Sequence, residues 1–199
     1  PFHKLTKEQK EAKSKIILQI LSSLTQNLDG QLILVEGEAG SGKTVLMSSL
    51  LYDLFNSNEF PVSKDKMSIH LLVNHEQQLT VYQQMAKKLG LKNKNGIDVV
   101  MKPTNFINYQ SKNNLKADVV IVDEAHLLLT QGKQSYRGKN HLKDLLANAK
   151  VVVAVFDENQ ILTTEQIWES ADLAEMKLDA QCVISLRDQM RINAQQSTI

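Results

Sequence analysis

The chain has 199 residues, 42% of them apolar and 23% charged, which suits one compact domain with a real core and excludes a disulfide miniprotein or a long disordered tail. Eight Gly, three Pro and the single Cys182 exclude collagen-like repeats, low-complexity character, an intrachain disulfide framework and a cysteine zinc cluster. A net charge of +1 gives no whole-molecule attraction to nucleic acid, so any such binding has to come from a local patch.

A lysine-rich amphipathic helix is expected first, within residues 1–28, with Leu5, Ile16, Ile17, Ile20, Leu21 and Leu24 available for a buried face. Short β-branched or leucine-rich runs then recur at 31–35, 69–73, 118–122, 151–155 and 182–186. They lack polar alternation, which predicts strands buried on both faces of a parallel sheet. Between them lie apolar residues at helical spacing: Val45, Leu46, Leu50 and Leu54 after the first strand, and Leu79, Tyr82, Met85 and Leu89 after the second. Strand and helix alternate, so the expected fold is a three-layer α/β sandwich on a mostly parallel sheet, with ligands on the rim formed by the strand ends. Residues 92–96 and 131–140 read as exposed loops, and no repeat or linker divides the chain.

After the first strand comes Gly37-Glu38-Ala39-Gly40-Ser41-Gly42-Lys43-Thr44, the G-x-x-x-x-G-K-[ST] pattern, with a helix following. Glycines let backbone N–H groups curl around a phosphate, the helix N-terminus adds its positive end, and Lys43 neutralises β and γ oxygens. Thr44 would hold Mg²⁺ by its hydroxyl. The strand at 118–122 runs into Asp123, Glu124, Ala125 and His126. Two acids at a strand end divide the labour of a nucleoside triphosphatase, Asp123 facing the metal and Glu124 polarising the attacking water. His126 reads as a structural or coupling residue rather than a metal ligand.

The run at 151–156 ends in Asp157, Glu158, Asn159 and Gln160. Gln160 could report the γ-phosphate, or the group could form an Asp/Asn turn capping a helix that begins near Thr163 or Thr164. Three of the 23 cationic residues are arginines, and two of these, Arg187 and Arg191, follow the last strand. An arginine offers planar, bidentate neutralisation of charge on a transferring phosphoryl group.

Taken together, GEAGSGKT, VIVDEAH, the strand with DENQ, and LRDQMR resemble motifs I to IV of superfamily 1 DNA and RNA helicases, in order and over most of the chain. In style the chain is most similar to the bacterial P-loop domain grouped with the helicase-like part of Schlafen proteins. The resemblance implies a RecA-like P-loop NTPase fold, with Lys43 and Thr44 on phosphate and Mg²⁺, Asp123 on the metal, Glu124 on the water, and Gln160 and Arg191 on the γ-phosphate. It also makes LTKEQKEA at 5–12 similar to an adenine-reading segment, with Gln9 as the base contact. Phe156 and Met190 depart from the family pattern, which usually has Gly and an aromatic residue there. The interval between Lys43 and Asp123 leaves no room for the large inserted subdomain of bigger motors.

By the same resemblance, Asn74, His75 and the stretch from Pro103 to Tyr109 correspond to positions where helicase cores hold a single strand. Phe106 or Tyr109 could stack a base, or both could be core at helical spacing. The lysines at 87–102 and 133–150 could track a backbone or form solvated surface.

These readings lead to Mg²⁺-dependent ATP binding and hydrolysis by the first motor domain of a helicase-like nucleic-acid translocase, slow in isolation, with GTP as a second candidate nucleotide and single-stranded DNA or RNA as the polymer. The alternative is a nucleotide-gated switch or interaction module without unwinding. With apolar runs of about six residues against the roughly 20 a membrane helix needs, and no leader, a cytoplasmic protein is expected. Its start at Pro1 reads as a fragment whose parent carries a second RecA-like domain.

Overall fold

The computed structural model describes residues 4–38, 42–60, 67–94, 96–131, 141–157, 159–160 and 180–186. In chain order the elements are α1 (Lys7–Thr25), β1 (Gln31–Gly37), α2 (Lys43–Asn56), β2 (Ile69–Leu72), α3 (Glu76–Lys88), β3 (Val100–Met101), α4 (Pro103–Asn113), β4 (Ala117–Val122), α5 (His126–Gln131), α6 (His141–Ala147), β5 (Ala149–Phe156) and β6 (Cys182–Leu186). The six strands form one sheet in the order β3-β2-β4-β5-β1-β6, and every neighbouring pair is parallel.

Successive side chains on a strand point to opposite faces, and both faces of this sheet are covered. Ile33, Val35, Ile69, Leu71, Val119, Ile121, Val151 and Val153 join a core with Ile16 and Ile20 of α1 and Leu46, Leu50 and Leu54 of α2. The alternate residues Leu32, Leu34, Leu72, Val120, Val122, Val152 and Ala154 pack with Phe106 of α4 and Leu142 and Leu145 of α6. This burial on two sides explains the unbroken apolar runs. Helices α1 and α2 are also tied by Lys13, whose Nζ lies 2.7 Å from Asp53 and donates to Ser49 at 3.1 Å. Among the described residues no helix is long and apolar enough to cross a membrane.

Three expectations need correction. The strand β3, two residues long, was not signalled by any apolar run and extends the sheet beyond β2. The stretch at 92–96 is not simply an exposed loop, because Asn93 is buried and clamps the start of β2. Its Oδ1 accepts from Ile69 N–H at 2.9 Å, and its Nδ2 donates to the Ile69 carbonyl at 2.8 Å. Finally, the chain is already helical at 159–160, ahead of Thr163. Trp168, Arg137, Arg187 and Met190 lie outside the described residues.

Candidate functional site

Because all strands are parallel, the C-terminal ends of β1, β2, β4 and β5 share one rim, and the sequence-predicted groups converge there. β1 ends at Gly37, and α2 opens with Lys43 and Thr44. Gly42 caps α2 in the left-handed conformation at φ 77° and offers no side-chain hydrogen bond, so the first N–H groups of the helix keep their positive end for an anion. The Lys43 ammonium folds back onto the loop, donating to the carbonyls of Gly37 at 2.6 Å and Glu38 at 3.0 Å. A phosphate entering the loop would exchange these carbonyls for its own charged oxygens. Ala39, Gly40 and Ser41 lie outside the described residues.

Gln9 sits at the flank of this loop. It closes a capping box at the start of α1: Gln9 N–H donates to Thr6 Oγ1 at 3.2 Å, and Thr6 N–H donates to Gln9 Oε1 at 2.9 Å. Its carboxamide is buried and lies so close to Gly42 that a Cβ there would collide with Gln9 Nε2. Gly42 is thus required twice, by its positive φ and by this close approach.

The turn after β4 is pinned by the strands on either side. Asp123 N–H donates to the Leu72 carbonyl of β2 at 3.0 Å, and Ala125 N–H donates to the Val155 carbonyl of β5 at 2.9 Å. Between them Glu124 is held at φ 47°, a conformation that a residue with a side chain adopts at some cost. Asp123 is 5% exposed. Burial, and then the neighbouring Glu124 charge, push its carboxyl up from 3.8 to about 6, against the Glu124 N–H, the Tyr82 hydroxyl and Lys43, which act the other way. His126 is buried, and burial lowers its imidazole although Glu124 and Asp157 pull upward; Lys43 and His75 add to the lowering. Its Nδ1 has no hydrogen-bond partner.

Helix α3 supplies two contacts that the sequence did not reveal. The Tyr82 hydroxyl donates to Asp123 Oδ2 at 3.4 Å and is also hydrogen-bonded by the Thr44 side chain. Burial and the Asp123 charge raise the phenol well above its usual range, so it stays protonated as a donor. At the start of the same helix, His75 Nε2 lies 3.0 Å from Glu124 Oε2.

The remaining predicted residues are distributed unevenly. Asp157 is buried at the end of β5, where its Oδ1 accepts from Asn159 N–H at 2.9 Å. Gln160 is exposed, and its backbone N–H donates to the Asp157 carbonyl at 3.2 Å. Asp157 and Asn159 thus form the Asp/Asn turn that the sequence raised. Phe106 is core at 1% exposure and is not available to stack a base, whereas Tyr109 is 37% exposed. Arg191 lies outside the described residues.

Known proteins were compared with this fold and site. The profile described as "Schlafen group 3, DNA/RNA helicase domain" matches residues 30–199. The chain belongs to this family. The chain is also similar to a curated protein of Saccharomyces cerevisiae, "Uncharacterized protein YPL245W", to which it is 34% identical over 176 residues. That match takes in 83% of the chain, which spans 38% of the relative's length. Among solved structures, the Aeropyrum pernix ORC2 protein, determined as ADPNP-ADP complexes, aligns with a TM-score of 0.50 at 14% identity, over 92% of this chain and 48% of that one. At that level it speaks for a shared RecA-like P-loop ATPase fold. The Pif1 helicase from Candida albicans aligns at 17% identity with a TM-score of 0.44, over 94% of this chain and 40% of that one.

Proposed function

We propose that this helicase domain binds and hydrolyses ATP with Mg²⁺, as the first motor domain of a nucleic-acid translocase. The observation that carries the reading is the convergence of Lys43 and Thr44, at the uncapped N-terminus of α2, with Asp123 and Glu124 at the end of β4, where one tyrosine hydroxyl bonds Thr44 and Asp123 together.

The residues fit a magnesium ion. Among the described residues no cluster of three or more His, Cys, Asp and Glu could cage a metal. Mg²⁺ in phosphoryl-transfer sites needs no such cage, because it keeps waters and takes one or two protein oxygens along with substrate phosphates. Thr44 Oγ1 and Asp123 both reach the same hydroxyl, so both can reach one small ion. Burial and the Glu124 charge, which hold the Asp123 proton up to about 6, also make its carboxylate a favourable partner for a cation. When bound, the ion would offset charge on the β and γ oxygens.

The chain's own residues do the rest. Lys43 exchanges the Gly37 and Glu38 carbonyls for phosphate oxygens, a stronger charge-assisted contact. Glu124 orients and deprotonates the attacking water. In this reading Gln160 and Arg191 approach the γ-phosphate from neighbouring strands, and a second RecA-like domain of the parent protein completes the closed site. Gln9 contributes as a buttress of Gly42, because a contact to adenine through Oε1 would have to displace the Thr6 N–H. The polymer is single-stranded DNA or RNA, a reading supported by family membership.

The test is Glu124→Gln. It should keep Mg²⁺-ATP affinity within about twofold and lower the hydrolysis rate by about 100-fold or more, the usual scale for losing a positioned general base. Equal loss of binding and hydrolysis would contradict the role given to Glu124. Stimulation of phosphate release by single strands, falling with salt, identifies the translocase; ATP turnover indifferent to every polymer would point to a switch instead.

A further inference from the structure

Helix α3 makes two contacts to the acids after β4, Tyr82 to Asp123 and His75 to Glu124. Strand order places β2 on one side of β4, and the loop strand β1 on the other side beyond β5. His75 caps α3 after β2, and its Nε2 engages Glu124 Oε2 at 3.0 Å, so one oxygen of that carboxylate is already taken from the β2 side of β4. An acid that must order a water has that oxygen occupied while this bond lasts.

Helix α3 is held on one face. Of its 13 residues, Tyr82 and Ala86 are the buried ones. Beneath its C-terminal half is a groove of about 650 Å³, lined by Gln83, Ala86 and Lys87 on the helix and by Asn93, Asp98 and Val100 opposite. Leu79 and Met85 pack half-buried against the same core and Glu76 pairs with Lys102 at 2.8 Å, while the groove leaves the helix room to rock on its other side. Two turns apart on one face, His75 and Tyr82 fasten it to Glu124 and Asp123. The His75 side chain is 57% exposed, so little packing besides this bond holds it.

We propose that His75 is a restraining residue, a latch that holds Glu124 off the reaction line in the nucleotide-free protein and must let go before ATP can be hydrolysed. The inference rests on the hydrolytic reading of Glu124 given above. It makes α3 the element through which events at the β2–α3 corner reach the hydrolytic acid. Tyr82 is the pivot, since its bonds to Thr44 and Asp123 lie on the buried side of the same helix.

The experiment is steady-state ATP hydrolysis with Mg²⁺ for the wild type, His75→Ala and His75→Gln. Removal of a half-exposed contact predicts a kcat about fivefold higher for His75→Ala, with KM changed less than twofold. His75→Gln keeps an amide donor at nearly the same reach and should return kcat toward the wild-type value. A second readout is independent of turnover: the imidazole ¹H–¹⁵N signal of His75, assigned by its loss in His75→Ala, should move when Glu124→Ala breaks the contact. It should move the same way when the wild type binds Mg²⁺ with a non-hydrolysable ATP analogue. A wild type that hydrolyses ATP while His75→Ala is unchanged or slower overturns the latch and leaves the ATPase standing. Absence of hydrolysis from every variant overturns the ATPase reading and the latch with it.

Discussion

Asp123→Asn should stabilise the nucleotide-free protein at pH 7.5. The carboxyl is 5% exposed beside Glu124 and is pushed from 3.8 to about 6. The folded protein therefore holds this proton more tightly than the unfolded chain, and ionisation costs stability. That cost is absent below about pH 4, grows between about 4 and 6, and is complete above 6. The rise corresponds to about 3 kcal/mol at full ionisation. For a chain of this size that is about 6 to 12 °C in Tm. Paired urea titrations of wild type and variant should be run at pH 7.5 and at pH 4. A titrating group that does not feel Asp123, such as buried His70, whose burial lowers it to about 4, is common to both proteins and cancels in the difference. The variant should be the more stable at pH 7.5 by up to about 3 kcal/mol and indistinguishable from wild type near pH 4. Mg²⁺ should reverse the order at pH 7.5 by stabilising the wild type alone. A variant that is less stable at pH 7.5, or a difference that does not change with pH, would refute the reasoning.

Two further outcomes follow from contacts around the loop. Tyr82→Phe removes a donor from Asp123 and a partner from Thr44, so Mn²⁺ affinity measured by electron paramagnetic resonance should fall about threefold to tenfold, the scale of one hydrogen bond; unchanged affinity would show that the hydroxyl does not organise these groups. Gln9→Ala should weaken ATP and GTP to the same degree, because the carboxamide braces Gly42. A selective loss of ATP would instead make it the adenine reader.

Much of the fold was legible because burial on both sides leaves a plain mark. The runs at 31–35, 118–122 and 151–155 fall inside β1, β4 and β5, since each is flanked by helices on two faces and has no reason to alternate. β3 escaped because two residues at a sheet edge carry no periodicity. Asn93 escaped because polarity suggested a loop, while its amide in fact replaces a backbone partner for Ile69. The phosphate loop and the acid pair were legible because their chemistry fixes spacing along the chain. The contacts of His75 and Tyr82 were not, because they depend on β2 lying next to β4, which no local pattern encodes. Tyr82 sat at a helical spacing that reads equally well as core, and it is both core and donor. Gln9 was singled out for a base, yet Thr6-x-x-Gln9 is also the spelling of a capping box, and that local reading describes its bonds.

The central claim is that a triphosphate and its magnesium sit at the N-terminus of α2, opposite the acids of β4. Titration calorimetry of Mg²⁺-ATP into the folded wild type and into Lys43→Ala tests it most directly. The account predicts saturable binding to the wild type and a loss of at least about tenfold in the variant, the scale of one charge-assisted contact to phosphate. Equal affinities, or no heat from ATP or GTP with the wild type, would contradict it.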